Sequence, residues 1–229
     1  PKVDADVILT HFPPNWRRIA FLASLKARNP NAALVHVEHS YSGDWEHLHV
    51  PSKRRFRTMM RTAFNLVDHL VCVSDGQARW VLETGSVQPN KLTVIRPYGS
   101  PEGLAHVPAR PPVAGRPLVI GAYGRFHDAK GFDTLIDAMK LTDACDNLEL
   151  VVGGFGPEDQ ALRARAAGDP RIRFVGKITD VAGFLSEVDI VAVPSRYEAY
   201  GQVANEAREA GRPILVSMAG GLPEQVGDA

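Results

Sequence analysis

The stretch PLVIGAYGRFHDAKGFDTLIDAMK, residues 117–140, sets out the plan on which the rest of the chain is built. An apolar run over 117–124 gives way to a polar loop, and the loop leads into FDTLIDAMK. There Phe132, Leu135, Ile136 and Met139 recur at i, i+3, i+4 and i+7. The first pattern reads as a strand and the second as a helix with a single apolar stripe for a sheet. A strand feeding such a helix is the repeating part of a βαβ unit, so a parallel sheet is expected.

Working outward, the same alternation continues on both sides. Downstream, strands are expected at 148–154, 172–177, 188–195 and 213–220. PEDQALRARAAG (157–168) reads as a helix, with Pro157 in its first turn and two acids behind it. Upstream, strands are expected at 6–10, 33–39, 69–74 and 92–96, separated by WRRIAFLASLKAR (16–28) and RRFRTMMRTAFNLV (54–67) as helices. Between the two sets lies a segment too rich in Pro and Gly for helix or sheet to persist. The expected organisation is therefore a Rossmann-like domain over 1–100, a linker over 101–116 and a second Rossmann-like domain over 117–229.

Composition narrows the class. The 229 residues are 45% hydrophobic, enough for one large core or two modest ones, and the formal charge is zero. No apolar run approaches the ~20 residues of a membrane span, and no signal-peptide pattern opens the chain. Cys72 and Cys145 have no CxxC or His spacing beside them, so reduced thiols, a cytoplasmic setting and no cysteine metal site are expected. His36, His39, His47 and His49 lack an H-E-x-x-H arrangement, and HVE at 36–38 has no P-C-x-x-C after it. A nucleic-acid footprint is not indicated, although KRRFRTMMR (53–61) is locally basic. As a helix it sets Arg54, Arg57 and Arg61 along one side. Peripheral membrane contact is expected there, against the plainer reading of a packed helix with a solvated edge.

Open parallel sheets bind ligands at the carboxyl ends of their strands. In the second half those ends carry GRFHDAKG, with Arg125 and Lys130 in a loop entering a helix, a place for a diphosphate. GGFGPE lacks the full G-x-G-x-x-G, and Glu158 and Asp159 would repel a phosphate, so Gly153, Gly154 and Gly156 read as a structural turn. In PSRYEAYGQVANEAREAG (194–211), Glu198 lies at the sheet edge and Glu206 inside the following helix, with the A-Y-G-Q turn between them. A ligand on that helix N-terminus would meet one carboxylate with each end. A sugar nucleotide has this layout.

Four stretches in order, GRFHDAKGFDTLIDAM, VVGGFGPEDQAL, IRFVGKITDVAGFLSEVDIVAVPSRYEAYGQVANEAREAG and PILVSMAGGLPEQV, resemble the donor-binding domain of family 4 (group 1) retaining glycosyltransferases of the GT-B fold. The first half is similar to the acceptor domain of that family: a strand ending at His39, then LVDHLVCVS and KLTVIRPYG. The resemblance implies two Rossmann-like domains with parallel sheets facing a cleft. It also implies retaining, metal-independent transfer of a hexosyl unit from a nucleotide-diphosphate sugar, with no cofactor, to a glycan, lipid-linked or small-molecule acceptor.

Residue by residue, the resemblance implies that Arg125 and Lys130 bind the diphosphate and that Tyr200, Gly201 and Gln202 contact phosphate and sugar. Glu206 would hold the ribose hydroxyls, and Ile178 with Lys177 would lie beside the base. Glu198 and His39 would stand at the reacting centre. The start at Pro1 and the stop at GDA leave out the family's first strands and its last strand and helix, so a fragment or a reduced member is expected. A non-catalytic sugar-nucleotide-binding protein and, with less support, a nicotinamide-dependent oxidoreductase stay open as alternatives.

Overall fold

A computed structural model of the chain describes residues 2–99, 101–142 and 147–227. Two units emerge, one of residues 1–97 together with 198–200, the other of 98–197 together with 201–229. Cys145, expected as a reduced thiol, lies outside the described residues.

In the first unit, strands β1 (Val7–Thr10), β2 (Ala33–Glu38), β3 (His69–Cys72) and β4 (Leu92–Val94) form a parallel sheet in sequential order. Helices α1 (Trp16–Arg28), α2 (Gly43–His49), α3 (Lys53–Asn65) and α4 (Asp75–Glu83) complete it. Each helix begins where a polar side chain accepts a hydrogen bond from the first turn: Asn15, Ser42, Ser52 and Ser74. Leu22 and Leu25 of α1 and Met59, Met60, Ala63 and Phe64 of α3 share a core with Leu34, Leu70 and Cys72. Cys72 is a free thiol, and burial pushes its pKa up to about 12.

The second unit has β5 (Leu118–Arg125), β6 (Leu148–Phe155), β7 (Ile172–Gly176), β8 (Ile190–Val193) and β9 (Ile214–Val216), all parallel, in the order β7-β6-β5-β8-β9. Its helices are α5 (Phe132–Lys140), α6 (Asp159–Ala166), α7 (Val181–Ser186) and α8 (Gln202–Glu209). The stripe Phe132, Leu135, Ile136 and Met139 is buried as its period requires. Strand order reverses at β5, with β6 on one side and β8 on the other. That crevice is where such sheets hold ligands.

Periodicity did not single out α2, α4 or α7. They are short, and α2 and α4 carry buried polar residues, Glu46 and Gln77, where an apolar stripe would run. Residues 101–116, expected as a linker, pack on the second unit. Leu104 is buried in its core, the Pro108 carbonyl accepts from Arg212, and Arg110 reaches Asp189.

Candidate functional site

Arg125 ends β5 exposed to solvent, and the loop after it turns through a 3-10 segment, Asp128–Lys130, before α5. Gly131 closes that turn at φ +64°, where a Cβ would lie 2.1 Å from the Pro194 carbonyl oxygen. Glycine is therefore what lets the Lys130 loop press against the exit of β8. Arg196 locks the two loops together. Its backbone N–H donates to the Ala129 carbonyl at 2.8 Å, and its guanidinium donates to Asp133 at 2.7 Å. That bond outweighs partial burial, which works the other way, and holds the Asp133 carboxyl below the usual range. Sequence reading passed over Arg196. Its signal was only its place, two residues before Glu198.

Helix α8 begins at Gln202 with no side-chain cap, because Gly201 occupies the cap at φ +99°. A Cβ at Gly201 would sit 2.3 Å from Leu222 Cδ2. An uncapped helix start leaves backbone N–H groups and the positive end of the helix dipole for an anion. Within the helix, Glu206 is half-buried and accepts a 2.6 Å hydrogen bond from the Tyr123 hydroxyl. Burial raises the Glu206 pKa although the Tyr123 bond works against it, and burial with the Glu206 bond raises that of the Tyr123 phenol. Tyr123 escaped the sequence reading, yet it stands two residues before Arg125 on β5, the spacing that gives strand residues a common side.

Ile178 packs against β6. A Cβ on Gly153 would meet its side chain at 2.6 Å, and Lys177 lies over the Phe155 ring at 5.5 Å. The turn expected over Gly153, Gly154 and Gly156 begins later than expected: Gly153 and Gly154 are still strand residues of β6, paired with Tyr123 and Gly124 of β5, and the chain leaves the strand only at Gly156. The Phe126 N–H donates to the Phe155 carbonyl at 2.8 Å, and the Glu158 N–H donates to the Phe126 carbonyl at 3.2 Å. Glu198 and Tyr200 fall in the segment that groups with the first unit, whereas Gly201, Gln202 and Glu206 belong to the second. Gln202 donates to the Gly99 carbonyl.

In the first unit, His39 is exposed and its Nε2 lies 2.8 Å from the His11 carbonyl oxygen. A carbonyl only accepts, so Nε2 is the donor in this contact. His36 is buried with its Nδ1 2.8 Å from Thr10 Oγ1, on the other side of β2's end. Among the described residues, no group of three or more His, Cys, Asp or Glu side chains could hold a metal ion. The one D-x-D tripeptide, Asp4-Ala5-Asp6, is exposed and precedes β1, at the end of the sheet away from His39.

On the basic face expected to meet a membrane, Arg54 and Arg61 are exposed and Arg57 is partly so. Arg57 makes a bidentate pair with the buried Glu46 at 2.7 and 2.8 Å, and Arg61 donates to the Gly85 carbonyl at 2.9 Å. Two of its three cations thus also tie α3 to neighbouring segments. No described helix is long and apolar enough to cross a membrane.

Two parallel-sheet units, the second with its strand order reversing at β5, define an α/β protein of the GT-B class. Residues 117–229 match the family described as "Glycosyl transferases group 1" and residues 2–97 match "Glycosyltransferase Family 4". The chain belongs to this glycosyltransferase family. It is 28% identical over 223 residues to the phosphatidyl-myo-inositol mannosyltransferase of Mycobacterium leprae (strain TN), covering 93% of this chain and 55% of that protein. It is 34% identical over 165 residues to the lipopolysaccharide core biosynthesis glycosyltransferase LpsD of Rhizobium meliloti (strain 1021), covering 68% and 45%.

Among solved structures, Anabaena Alr3699/HepE in complex with UDP and glucose superposes with a TM-score of 0.69 at 21% identity, covering 96% of this chain and 61% of that one. Sucrose-phosphate synthase from Thermosynechococcus elongatus gives 0.70 at 24%, covering 95% and 57%. The chain spans about half the length of these curated relatives.

Proposed function

We propose that this chain carries the donor and acceptor machinery of a retaining glycosyltransferase that moves a hexosyl unit from a nucleotide-diphosphate sugar to a glycan, lipid-linked or small-molecule acceptor. The observation behind the donor half is the carboxyl edge of the second sheet. There Arg125 and the Lys130 loop flank the switch point, and α8 opens uncapped with Glu206 fixed by Tyr123. The Anabaena relative was solved with UDP and with UDP-glucose, which makes uridine diphosphate the first probe.

In this reading Arg125, Lys130 and the α8 backbone hold the diphosphate and offset the negative charge that grows on it as the bond to the sugar breaks. Glu206 accepts from the ribose hydroxyls with the oxygen that Tyr123 leaves open, and Ile178 and Lys177 border the base. Glu198 orients the transferred sugar. The bond from the anomeric carbon to phosphate oxygen breaks while the bond to the acceptor oxygen forms on the same face, and the acceptor's proton passes to the leaving phosphate. His39, oriented by its Nε2 contact with the His11 carbonyl, presents Nδ1 to the acceptor or the sugar.

A thermal-shift series with UDP-, GDP- and ADP-sugars tests the donor half. One nucleotide should raise Tm in a concentration-dependent way. No shift with any of them would remove it, and binding without donor hydrolysis or transfer would leave a sugar-nucleotide-binding protein instead.

A further inference from the structure

Strand β2 alternates as a strand packed on a core should, with Leu34, His36 and Glu38 at its buried positions, yet two of those three positions carry polar side chains. His36 and Glu38 are each 1% exposed. The His36 ring has Phe12 and Phe64 as neighbours, at 6.0 and 5.9 Å between centroids. A polar pair set into an apolar face breaks the local pattern, and such breaks concentrate where function rather than packing selects the residue.

Each of the two side chains has one polar atom engaged with the surrounding structure and one that is not. His36 Nδ1 lies 2.8 Å from Thr10 Oγ1, and Glu38 Oε1 accepts from the Ser40 N–H at 2.7 Å and the Tyr41 N–H at 3.0 Å. The remaining atoms, His36 Nε2 and Glu38 Oε2, are buried with no hydrogen-bond partner among the described residues, and they lie 3.6 Å from each other. Two bare lone pairs facing at that distance in a dry interior would repel, so one of the atoms carries a hydrogen toward the other. The contact is longer than a hydrogen bond, and it is what each atom has in place of water.

The two engaged atoms lead to one exposed residue, His39. Thr10 ends β1 and precedes His11, whose carbonyl receives His39 Nε2 at 2.8 Å. Ser40 and Tyr41, whose N–H groups Glu38 accepts, directly follow His39. The same turn is tied further by the Tyr41 hydroxyl, which donates to the Pro14 carbonyl at 2.9 Å, and by Gln77 of α4, which donates to the Tyr41 carbonyl at 2.7 Å. The ring of His39 is therefore set by the backbone on either side of it and by one carbonyl acceptor. Both supports run back to the same buried pair.

We propose that Glu38, seated on His36, is a positioning residue for His39: it fixes the turn that carries His39, while His36, through Thr10, fixes the loop whose carbonyl holds the ring. This rests on the transferase reading for what His39 does, not for how it is held. Glutamine should replace Glu38 well, since its carbonyl oxygen can accept from Ser40 and Tyr41 and its amide can donate to His36 Nε2. Leucine, which has neither atom, should not.

The test follows amide hydrogen exchange and histidine-ring signals by NMR on the whole chain, then transfer kinetics. In Glu38→Leu the Ser40 and Tyr41 amides should exchange about tenfold faster or more, as expected for lost hydrogen bonds to a charged acceptor, and the His39 Cε1–H signal should move. Amides at the centre of β2 should stay as slow as in wild type. Glu38→Gln should preserve both signatures. With a nucleotide sugar that raises Tm and an acceptor that turns over, Glu38→Leu should lower kcat about tenfold or more, leaving donor KM and the nucleotide-induced Tm rise unchanged, and Glu38→Gln should stay close to wild type. Thr10→Val removes the anchor of His36 at nearly constant shape and should also move the His39 signal, which decides the matter if Glu38→Leu fails to fold.

An unmoved His39 signal in a folded Glu38→Leu, or in Thr10→Val where Glu38→Leu does not fold, would overturn the proposal. So would equal losses in Glu38→Gln and Glu38→Leu. A lowered Tm with kcat and the nucleotide response falling together would reduce the pair to a purely structural one. The NMR signatures need no turnover. If no nucleotide raises Tm while the His39 signal moves as expected, the donor reading falls alone; if nucleotide binds and the signal does not move, only the positioning role falls.

Discussion

The two edges of the second sheet each hold a carboxylate out of bulk water, and the two are treated differently. At the amino edge, Asp189 precedes β8 with its side chain 7% exposed. It accepts from Arg116 at 2.7 Å through each oxygen, from Arg110 at 3.0 Å and from the Val119 N–H at 2.8 Å. The Arg116 bond, with the amide and Arg110 behind it, outweighs burial and holds the Asp189 carboxyl at about 2. At the carboxyl edge, Glu206 has one strong donor, the Tyr123 hydroxyl, and burial keeps its pKa raised. A carboxylate whose lone pairs are all engaged fixes the structure around it. One that still has acceptor capacity, held rigid in a crevice, is equipped for a ligand.

Breaking the saturated edge should have the largest effect. Asp189→Ala leaves Arg110, Arg116 and the Val119 N–H without their acceptor and should lower the urea midpoint. The sign of the pH dependence follows from the lowered pKa. The contribution is present above about 3.8, the unfolded value, and is lost as pH falls through about 2. Wild type should therefore lose stability between those values more steeply than Asp189→Asn, in acid denaturation followed by circular dichroism. Glu206, with its raised pKa, runs the other way. Its contribution is present below its unfolded value and is lost as pH rises through the folded one.

At the open edge, Arg125→Ala should weaken nucleoside diphosphate binding by about 1.5–3 kcal/mol, tenfold or more by calorimetry, with Tm little changed. Unchanged affinity would return Arg125 to the status of a solvated surface charge. Glu206→Gln should weaken the bare nucleoside diphosphate, whereas Glu198→Gln should spare it and lower turnover. Equal losses of nucleotide affinity would show that the two acids do not divide ribose and sugar between them. The smallest effect belongs to Tyr123→Phe. It removes one hydrogen bond to Glu206 and should cost about 1 kcal/mol in nucleotide binding, a few-fold. An effect as large as that of Glu206→Gln would mean that Tyr123 itself touches the ligand.

All nine strands among the described residues were legible in the sequence, because short β-branched runs between Gly- and Pro-containing loops have few other ways to bury themselves. So were α1, α3 and α5, α6 from its proline and acids, and α8, the helix expected to carry Glu206. The positions of Arg125, Lys130, Glu198 and Glu206 at strand ends were legible too, since chain order in a parallel sheet puts every βα loop on one edge. Local patterns of 3.6 and 2 residues, and the order of elements, are properties of the chain and need no partner to be read.

What only the tertiary structure decided concerns pairs distant in sequence. Nothing near Tyr123 announces that its hydroxyl meets Glu206, or that Arg196 ties two loops together. The amphipathic pattern of α3 was correct as a pattern, yet nothing in it announced that Arg57 pairs with Glu46. Charge on a helix face is local, but whether a buried acid waits opposite is settled by how the next element packs, and a buried acid claims the nearest guanidinium because leaving it unpaired costs several kcal/mol.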